Sequence, residues 1–438
     1  MPCYREIAGQ ARIAEQTECR TKGNESMQGS IDNVHNGKCY GWAYDDKSST
    51  PVAVSIYIDD KLAASGTADK YRSDLESAGI GDGHAAFVID IPDSFRDGLY
   101  HAMEARSQGG TSIAIRNEIL VVPRLTPTEF ARNAPWVDSD EDTFQAELSR
   151  RLACSEITED LAEKLRFFRE NGFVAIEQAI PHRLIDKVLD DVERAWDSPP
   201  TILVLNNTLK QPVLMQDVIQ SPGFRSTSFR YLDFHNVSDA CAEIMMNPQV
   251  LDFVRTYLDA DIAAMQTLLF ENGTQQRSHQ DFPYVHSLKP ASLAGAWVAL
   301  EDVDPDAGPL FYWPKSHHLV KTYEFEDGTV LAEGDGEHVR RYEEYLENTC
   351  RELGLEKVQF TPKKGDVLIW HSALVHGGST RNNLALTRKS MVTHYTTRDA
   401  YPLDRRHPQT PPVTLQRHGG IYYASQRDGH QEGLYSFD

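Results

Sequence analysis

The chain has 438 residues, with 44 Lys plus Arg against 65 Asp plus Glu, and a formal net charge of −21. A surface this acidic repels phosphate backbones and anionic lipid, so nucleic acid and membrane surfaces are excluded as expected partners. Forty per cent hydrophobic residues suit a globular chain of two or three domains, and no run approaches the ~20 apolar residues of a membrane span.

The N-terminal stretch MPCYREIAGQARIAEQTECRTKGNES lacks the apolar core of a signal peptide. The six cysteines are scattered without CxxC spacing, as in a reducing compartment. A cytoplasmic location is expected. Residues 1–26 are polar and mixed in charge and read as a mobile tail. Over residues 27–124 the pattern changes to short alternating runs such as VAVSIYI (Val52–Ile58), HAAFVIDI (His84–Ile91) and SIAIRNEILVV (Ser112–Val122). Turn formers separate them, which predicts a small antiparallel β-sandwich. Residues 125–155 are rich in Pro and acidic residues and read as a linker or docking segment.

From residue 156 to 438 the pattern is that of a second domain. Helical spacing over Thr158–Asn171 ends at Gly172, a fitting C-terminal cap. A short strand over Phe173–Glu177 and a helix over Ile180–Trp196 follow. The irregular stretch from Pro199 to Phe234 reads as a lid or binding loop. Beyond Ala263 strands dominate: MQTLLFEN, AGAWVALEDV, PLFYWP, KVQFTP, DVLIWHS and RKSMVTHYTT. The expected fold is mainly β with flanking helices: a double-stranded β-helix (jelly-roll) catalytic domain preceded by the sandwich.

Two segments of this domain carry chemistry. In QRSHQDFPYVH, His279 and Asp281 are two residues apart and project to one face of an extended chain. In GDVLIWHSALVHGGS two histidines compete for a third position. His371 continues a strand and suits a core or supporting role, whereas His376 ends it beside Gly377 and Gly378, where backbone can approach a metal closely. Two histidines and one carboxylate on one face of a metal leave the opposite positions open for co-substrate and oxygen, the arrangement of non-haem Fe(II) oxygenases. Arg388 opens the next strand. Inside a barrel its guanidinium needs a carboxylate, and its planar fork suits the distal carboxylate of 2-oxoglutarate. Ser379 offers a hydroxyl to the same group. Tyr284 and His286, just after the ligand pair, are the candidates to face substrate.

The ordered words QTLLF, HQD, WVALED, PKSH, GD, HGGS and the following Arg resemble the phytanoyl-CoA dioxygenase family of Fe(II)/2-oxoglutarate-dependent oxygenases, over residues Thr158–Thr397. The resemblance implies that His279, Asp281 and His376 bind iron. It implies that Arg388 and Ser379 hold 2-oxoglutarate, that Trp297 borders that pocket, and that Gln266 touches the co-substrate. O2 is the other co-substrate. HGGS stands where the family commonly has HGS, which bears on the loop more than on the ligands. Related halogenases carry a small residue in place of the carboxylate, so Asp281 implies hydroxylation. The pair His317–His318 matches a family turn and reads as structural.

In the first domain GSIDNVHNGKCYGWAYDD, ADKYRSDL and GIGDGHAAFVIDIP resemble a β-rich module of enzymes of bacterial surface-polysaccharide assembly. That implies a glycan or protein contact there and a sugar or sugar-linked small molecule as substrate. Two other readings compete: a cupin-type metalloenzyme that uses no 2-oxoglutarate, and an inactive glycan- or partner-binding protein.

Overall fold

The computed structural model describes residues 27–35, 37–96, 100–120, 125–206, 212–285, 287–325, 328–330, 337–401 and 413–424. The expected tail over residues 1–26 and the candidate His286 lie outside the described residues. Chain contacts divide these described residues into two units, one over 27–120 and one over 125–401 and 413–424.

Among its described residues the first unit has eight strands: β1 (Met27–His35), β2 (Lys38–Asp45), β3 (Val52–Ile58), β4 (Lys61–Ala68), β5 (Lys70–Tyr71), β6 (His84–Asp90), β7 (Tyr100–Ser107) and β8 (Ser112–Leu120). They form two four-stranded antiparallel sheets, ordered β1-β2-β6-β5 and β4-β3-β7-β8. Alternation decides which residues meet: Val54, Ile56 and Ile58 of β3 point inward with Phe87, Ile89 and Met103, while the residues between them stay wetter.

After short helical turns at Pro127–Arg132 and Trp136–Asp138, the first long helix of the second unit is α1 (Glu141–Ala153), capped by the Asp140 carboxylate, which accepts from Thr143 N at 3.0 Å. Phe144 and Leu148 of α1 are buried in the main core of this unit. Helix α1 therefore packs as part of this unit. Helix α2 (Glu159–Asn171) ends at Gly172 with φ 80°, the left-handed cap that only glycine adopts without strain. Strand β9 (Phe173–Ile176), helix α3 (His182–Asp197), strands β10 (Leu203–Asn206), β11 (Val213–Leu214) and β12 (Phe229–Leu232), helix α4 (Pro248–Leu258) and strands β13 (Ile262–Phe270) and β14 (Leu293–Ala299) follow. Then come β15 (Leu310–Tyr312), helix α5 (Glu337–Glu352), β16 (Val358–Phe360), β17 (Val367–His371), β18 (His376–Gly378), β19 (Ser390–Thr397), β20 (Val413–Arg417) and β21 (Gly420–Ala424). The stretch expected to be irregular thus contributes β10, β11 and β12 to a sheet. Strands of two to four residues are too short to show a period.

The large sheet runs β11-β10-β12-β13-β19-β14-β17-β9, with β21 paired to β13 and β20 to β21, and faces a small sheet ordered β16-β15-β18. This is the double-stranded β-helix. The large sheet is buried on both faces. Ala294, Ala296, Val298, Val367, Ile369, Met391 and Tyr395 turn toward the helices. The alternating Trp297, Leu368, Trp370 and Val392 turn into the barrel against Leu310 and Tyr312 of the small sheet. In β13 a register shift between Ala264 and Gln266 switches the parity, so that Leu268 and Phe270 face the interior.

Since Phe144 is 1% exposed, Phe144→Ala should destabilise the second unit by about 3–5 kcal/mol. Chemical denaturation followed by a probe in this unit measures the loss; a loose linker would show none.

Candidate active site

Two reciprocal backbone hydrogen bonds set the frame. His279 N donates to His376 O and His376 N donates to His279 O, both at 2.9 Å. This antiparallel bridge places the two side chains on one side, with ring centroids 4.3 Å apart. Asp281 N donates to Ser372 O at 2.9 Å, holding the carboxylate two residues along on the same face. Gly377 and Gly378 act differently from expectation. A Cβ at Gly378 would lie 2.8 Å from Gln275 N and Thr274 Oγ1, and one at Gly377 2.8 Å from Gln276 O. They admit the segment leading into His279 at close range.

The polar atoms then converge. His279 Nε2 and His376 Nε2 lie 3.9 and 3.5 Å from Asp281 Oδ1, and one ligand atom from each of the three residues falls within 4.8 Å of the others. Each imidazole uses Nδ1–H to donate to a main-chain carbonyl: His279 to Arg277 O at 2.8 Å, His376 to Leu374 O at 2.9 Å. A carbonyl can only accept, so in the neutral ring the Nε2 lone pair is left bare. Burial, with the charge of His376 next, pushes the His279 pKa down to about 3, which keeps its ring neutral. Burial alone would raise Asp281, but the His376, His394 and His279 imidazoles outweigh it and hold the carboxyl below the usual range. Bare lone pairs and a carboxylate oxygen facing one another repel unless a cation lies between them. The donor set of two imidazoles and one carboxylate fits Fe(II).

Three supporting residues were not legible in the sequence. Trp370 Nε1 donates to Asp281 Oδ2 at 2.6 Å. His394 Nε2 stands 3.3 Å from the same oxygen. Arg230 of β12 is paired with the inward-facing Leu205, which puts its side chain on the barrel side, and its charge is among those depressing His279. A Trp and a His inside apolar strands read as core, and Arg230 lay in the stretch without a period.

Arg388 is 2% exposed. Its guanidinium carbon lies 5.7 Å from the Trp297 ring centre and 5.9 Å from that of Phe270. Its one hydrogen bond is long, from Nη1 to Gly308 O at 3.5 Å, and Nε is buried without a partner. Burial, aided by Arg381, pulls its pKa down to about 10 against the opposing charge of Glu301. Among the described residues no carboxylate pairs with it. Trp297 Nε1 is likewise a buried donor without a partner. A buried cation and an idle N–H beside it fit the carboxylate end of a small ligand.

The other candidates divide. Gln266 enters the barrel, and its Nε2 meets His394 Nδ1 at 3.0 Å. The Ser379 hydroxyl accepts from Gln359 Nε2, an amide on the small sheet, at 3.1 Å. Tyr284 packs edge-on to His279, with ring centroids 6.0 Å apart. His371 uses both nitrogens elsewhere: Nε2 donates to Asp138 at 3.0 Å and Nδ1 accepts from Ala373 N at 2.9 Å. His317 donates to Arg169 O at 3.0 Å and serves the end of α2. His376→Ala should therefore abolish stoichiometric Fe(II) binding, while His371→Ala should leave one iron per chain. Metal analysis after anaerobic loading tests both.

The phytanoyl-CoA dioxygenase (PhyH) family model matches residues 168–390, half of the chain. Human peroxisomal phytanoyl-CoA dioxygenase is 23% identical over 252 residues, covering 55% of this chain and 70% of the human protein. A probable phytanoyl-CoA dioxygenase of Caenorhabditis elegans is 24% identical over 263 residues, covering 54% and 76%. Among solved structures, the epimerase SnoN of nogalamycin biosynthesis aligns with a TM-score of 0.42 at 14% identity, covering 61% of this chain and 99% of that one. EctD from S. alaskensis aligns with a TM-score of 0.41 at 17% identity, covering 64% and 87%. Likeness at that level says nothing about the reaction. With the family match lying over the His–Asp–His cluster, the chain belongs to the phytanoyl-CoA dioxygenase family of non-haem iron, 2-oxoglutarate-dependent oxygenases.

Proposed function

We propose that His279, Asp281 and His376 ligate Fe(II), that Arg388 binds the distal carboxylate of 2-oxoglutarate, and that the protein hydroxylates an unactivated C–H of a small molecule. The observation carrying this reading is the pair of complementary deficits in one barrel. Three electron-pair donors converge on a point with no proton between them, and a buried guanidinium beside the inward-facing Trp297 and Phe270 lacks a carboxylate among the described residues. Bound iron and 2-oxoglutarate would supply the oxidation, in which O2, the keto acid and the substrate C–H become succinate, CO2 and an alcohol.

The chain's own residues do the rest. Arg388 fixes the far end of the co-substrate through two parallel N–H donors. Trp297 supplies one wall and an N–H, and Phe270, Leu268, Leu368 and Val392 form an apolar lining that excludes water from the reacting centre. Asp281 fills the third ligand position, which leaves no place for a halide and favours transfer of a hydroxyl group. Tyr284, beside His279, is the residue we assign to the substrate side. We further read the substrate as a sugar or sugar-linked metabolite and the first unit as a glycan or protein contact. Support for both comes from the sequence words of the first unit, and the acidic surface disfavours a polyanionic acyl-CoA.

Anaerobic titration of the apoprotein with Fe(II) and then 2-oxoglutarate should produce a visible metal-to-ligand charge-transfer band. Arg388→Ala should raise the 2-oxoglutarate Kd at least about thirtyfold, since loss of one partner of a buried charge pair costs about 2 kcal/mol or more. Iron binding without the band would favour a cupin-type enzyme that uses no keto acid. Succinate release can then screen sugars, sugar nucleotides and acyl thioesters.

A further inference from the structure

Asp281 offers two oxygens, and only one faces the imidazoles. Oδ2 is turned away: it accepts a hydrogen bond from Trp370 Nε1 at 2.6 Å, and His394 Nε2 stands 3.3 Å from it, at ion-pair distance but outside hydrogen-bond geometry. His394 is itself held from behind, with Gln266 Nε2 3.0 Å from its Nδ1. An amide N–H there makes Nδ1 the acceptor, so the neutral ring carries its proton on Nε2, toward Asp281. The opposite tautomer would set a lone pair against a carboxylate oxygen.

The residues come from four neighbouring strands in register. Gly295 of β14 pairs with Trp370 of β17 on one side and with His394 of β19 on the other, and Gln266 of β13 pairs with His394. A Cβ at Gly295 would lie 2.4 Å from the Trp370 ring, so glycine is what lets the indole lie across the sheet toward Asp281. His394 is 3% exposed, and its ring lies outside the cluster of three that converges on one point. It reaches the metal position only through Asp281.

We propose that Gln266 and His394 form a positioning relay that, with Trp370, binds Oδ2 of Asp281 and presents Oδ1 alone to iron. This rests on the iron reading above. A carboxylate free at both oxygens can chelate a hard cation through both, taking a position needed by co-substrate or oxygen. The Trp370 hydrogen bond, with the His394 Nε2–H 3.3 Å from the same oxygen, holds Oδ2 back and fixes the carboxylate plane. Gln266 is thereby assigned to the ligand's support and not to contact with 2-oxoglutarate.

The test uses the full chain, anaerobic, with ferrous salt and 2-oxoglutarate as probes. His394→Leu should weaken Fe(II) binding about tenfold or more, the usual cost of losing a ligand's supporting partner, and shift the charge-transfer band. His394→Gln, which keeps an N–H donor, should recover most of the affinity and the parent band position. Gln266→Leu, which frees the tautomer, should fall between parent and His394→Leu, and it carries the test if His394→Leu does not fold. Fe(II) affinity within about twofold of the parent, with an unmoved band, in both leucine variants would overturn the relay. So would a folded His394→Gln as weak as His394→Leu. Absence of the band in the parent itself would sink the 2-oxoglutarate reading instead, a result separate from the iron affinities.

Discussion

The site depends on one exchange of hydrogen bonds, the reciprocal pair between the main chains of His279 and His376. His376 opens β18 while His279 lies outside the named strands, and the chain between them is nearly a hundred residues long. Pairing them directly opposite one another forces both imidazoles to the same side at a fixed spacing. Their Nδ1–H groups are then spent on carbonyls two residues away along each chain. What remains is a pair of lone pairs aimed at Asp281, an arrangement that repels itself and becomes favourable when a cation enters. The protein has stored the binding site in backbone geometry, and the side chains need little freedom to complete it.

The large sheet makes this possible by separating two tasks onto two faces. Its outer face, with Ile369, Met391 and Tyr395, is covered by helices and supplies the main apolar core. Its inner face mixes Leu368, Trp297 and Val392 with Trp370 and His394, and Arg388, just before β19, lies against the Trp297 ring, so polar groups sit in a lining that excludes water. In such surroundings an uncompensated charge is costly. Arg388 and the three converging ligands are therefore complementary deficits, one cationic and one electron-rich, in the same barrel. A metal with an anionic chelating co-substrate resolves both together.

Much of this was legible in the sequence because the relevant signals are local. The H-x-D spacing, the helix closed by Gly172, the alternating strands of the first unit and the isolated Arg388 each depend on neighbours along the chain. What was hidden depends on register. Gln266 enters the barrel only because a bulge after Ala264 switches the parity of β13, which no alternation shows. Trp370 and His394 read as core aromatics until their strands are aligned, and Gly295 reads as a weak strand residue until the indole crossing it is seen. Gly377 and Gly378 were assigned to the wrong neighbour for the same reason: the segment they accommodate, Thr274–Gln276, is remote in sequence. Helix α5, whose Tyr342, Leu346 and Cys350 bury one stripe, was passed over among its charges.

The most direct test of the account is a crystal structure of the full chain loaded anaerobically with Fe(II) and 2-oxoglutarate, with anomalous data at the iron edge. The account predicts one anomalous peak bonded to His279 Nε2, His376 Nε2 and a single oxygen of Asp281, with the keto acid running from it to the Arg388 guanidinium. Iron bound elsewhere, for instance at His371 and His317, or 2-oxoglutarate absent from Arg388 with iron in place, would contradict it.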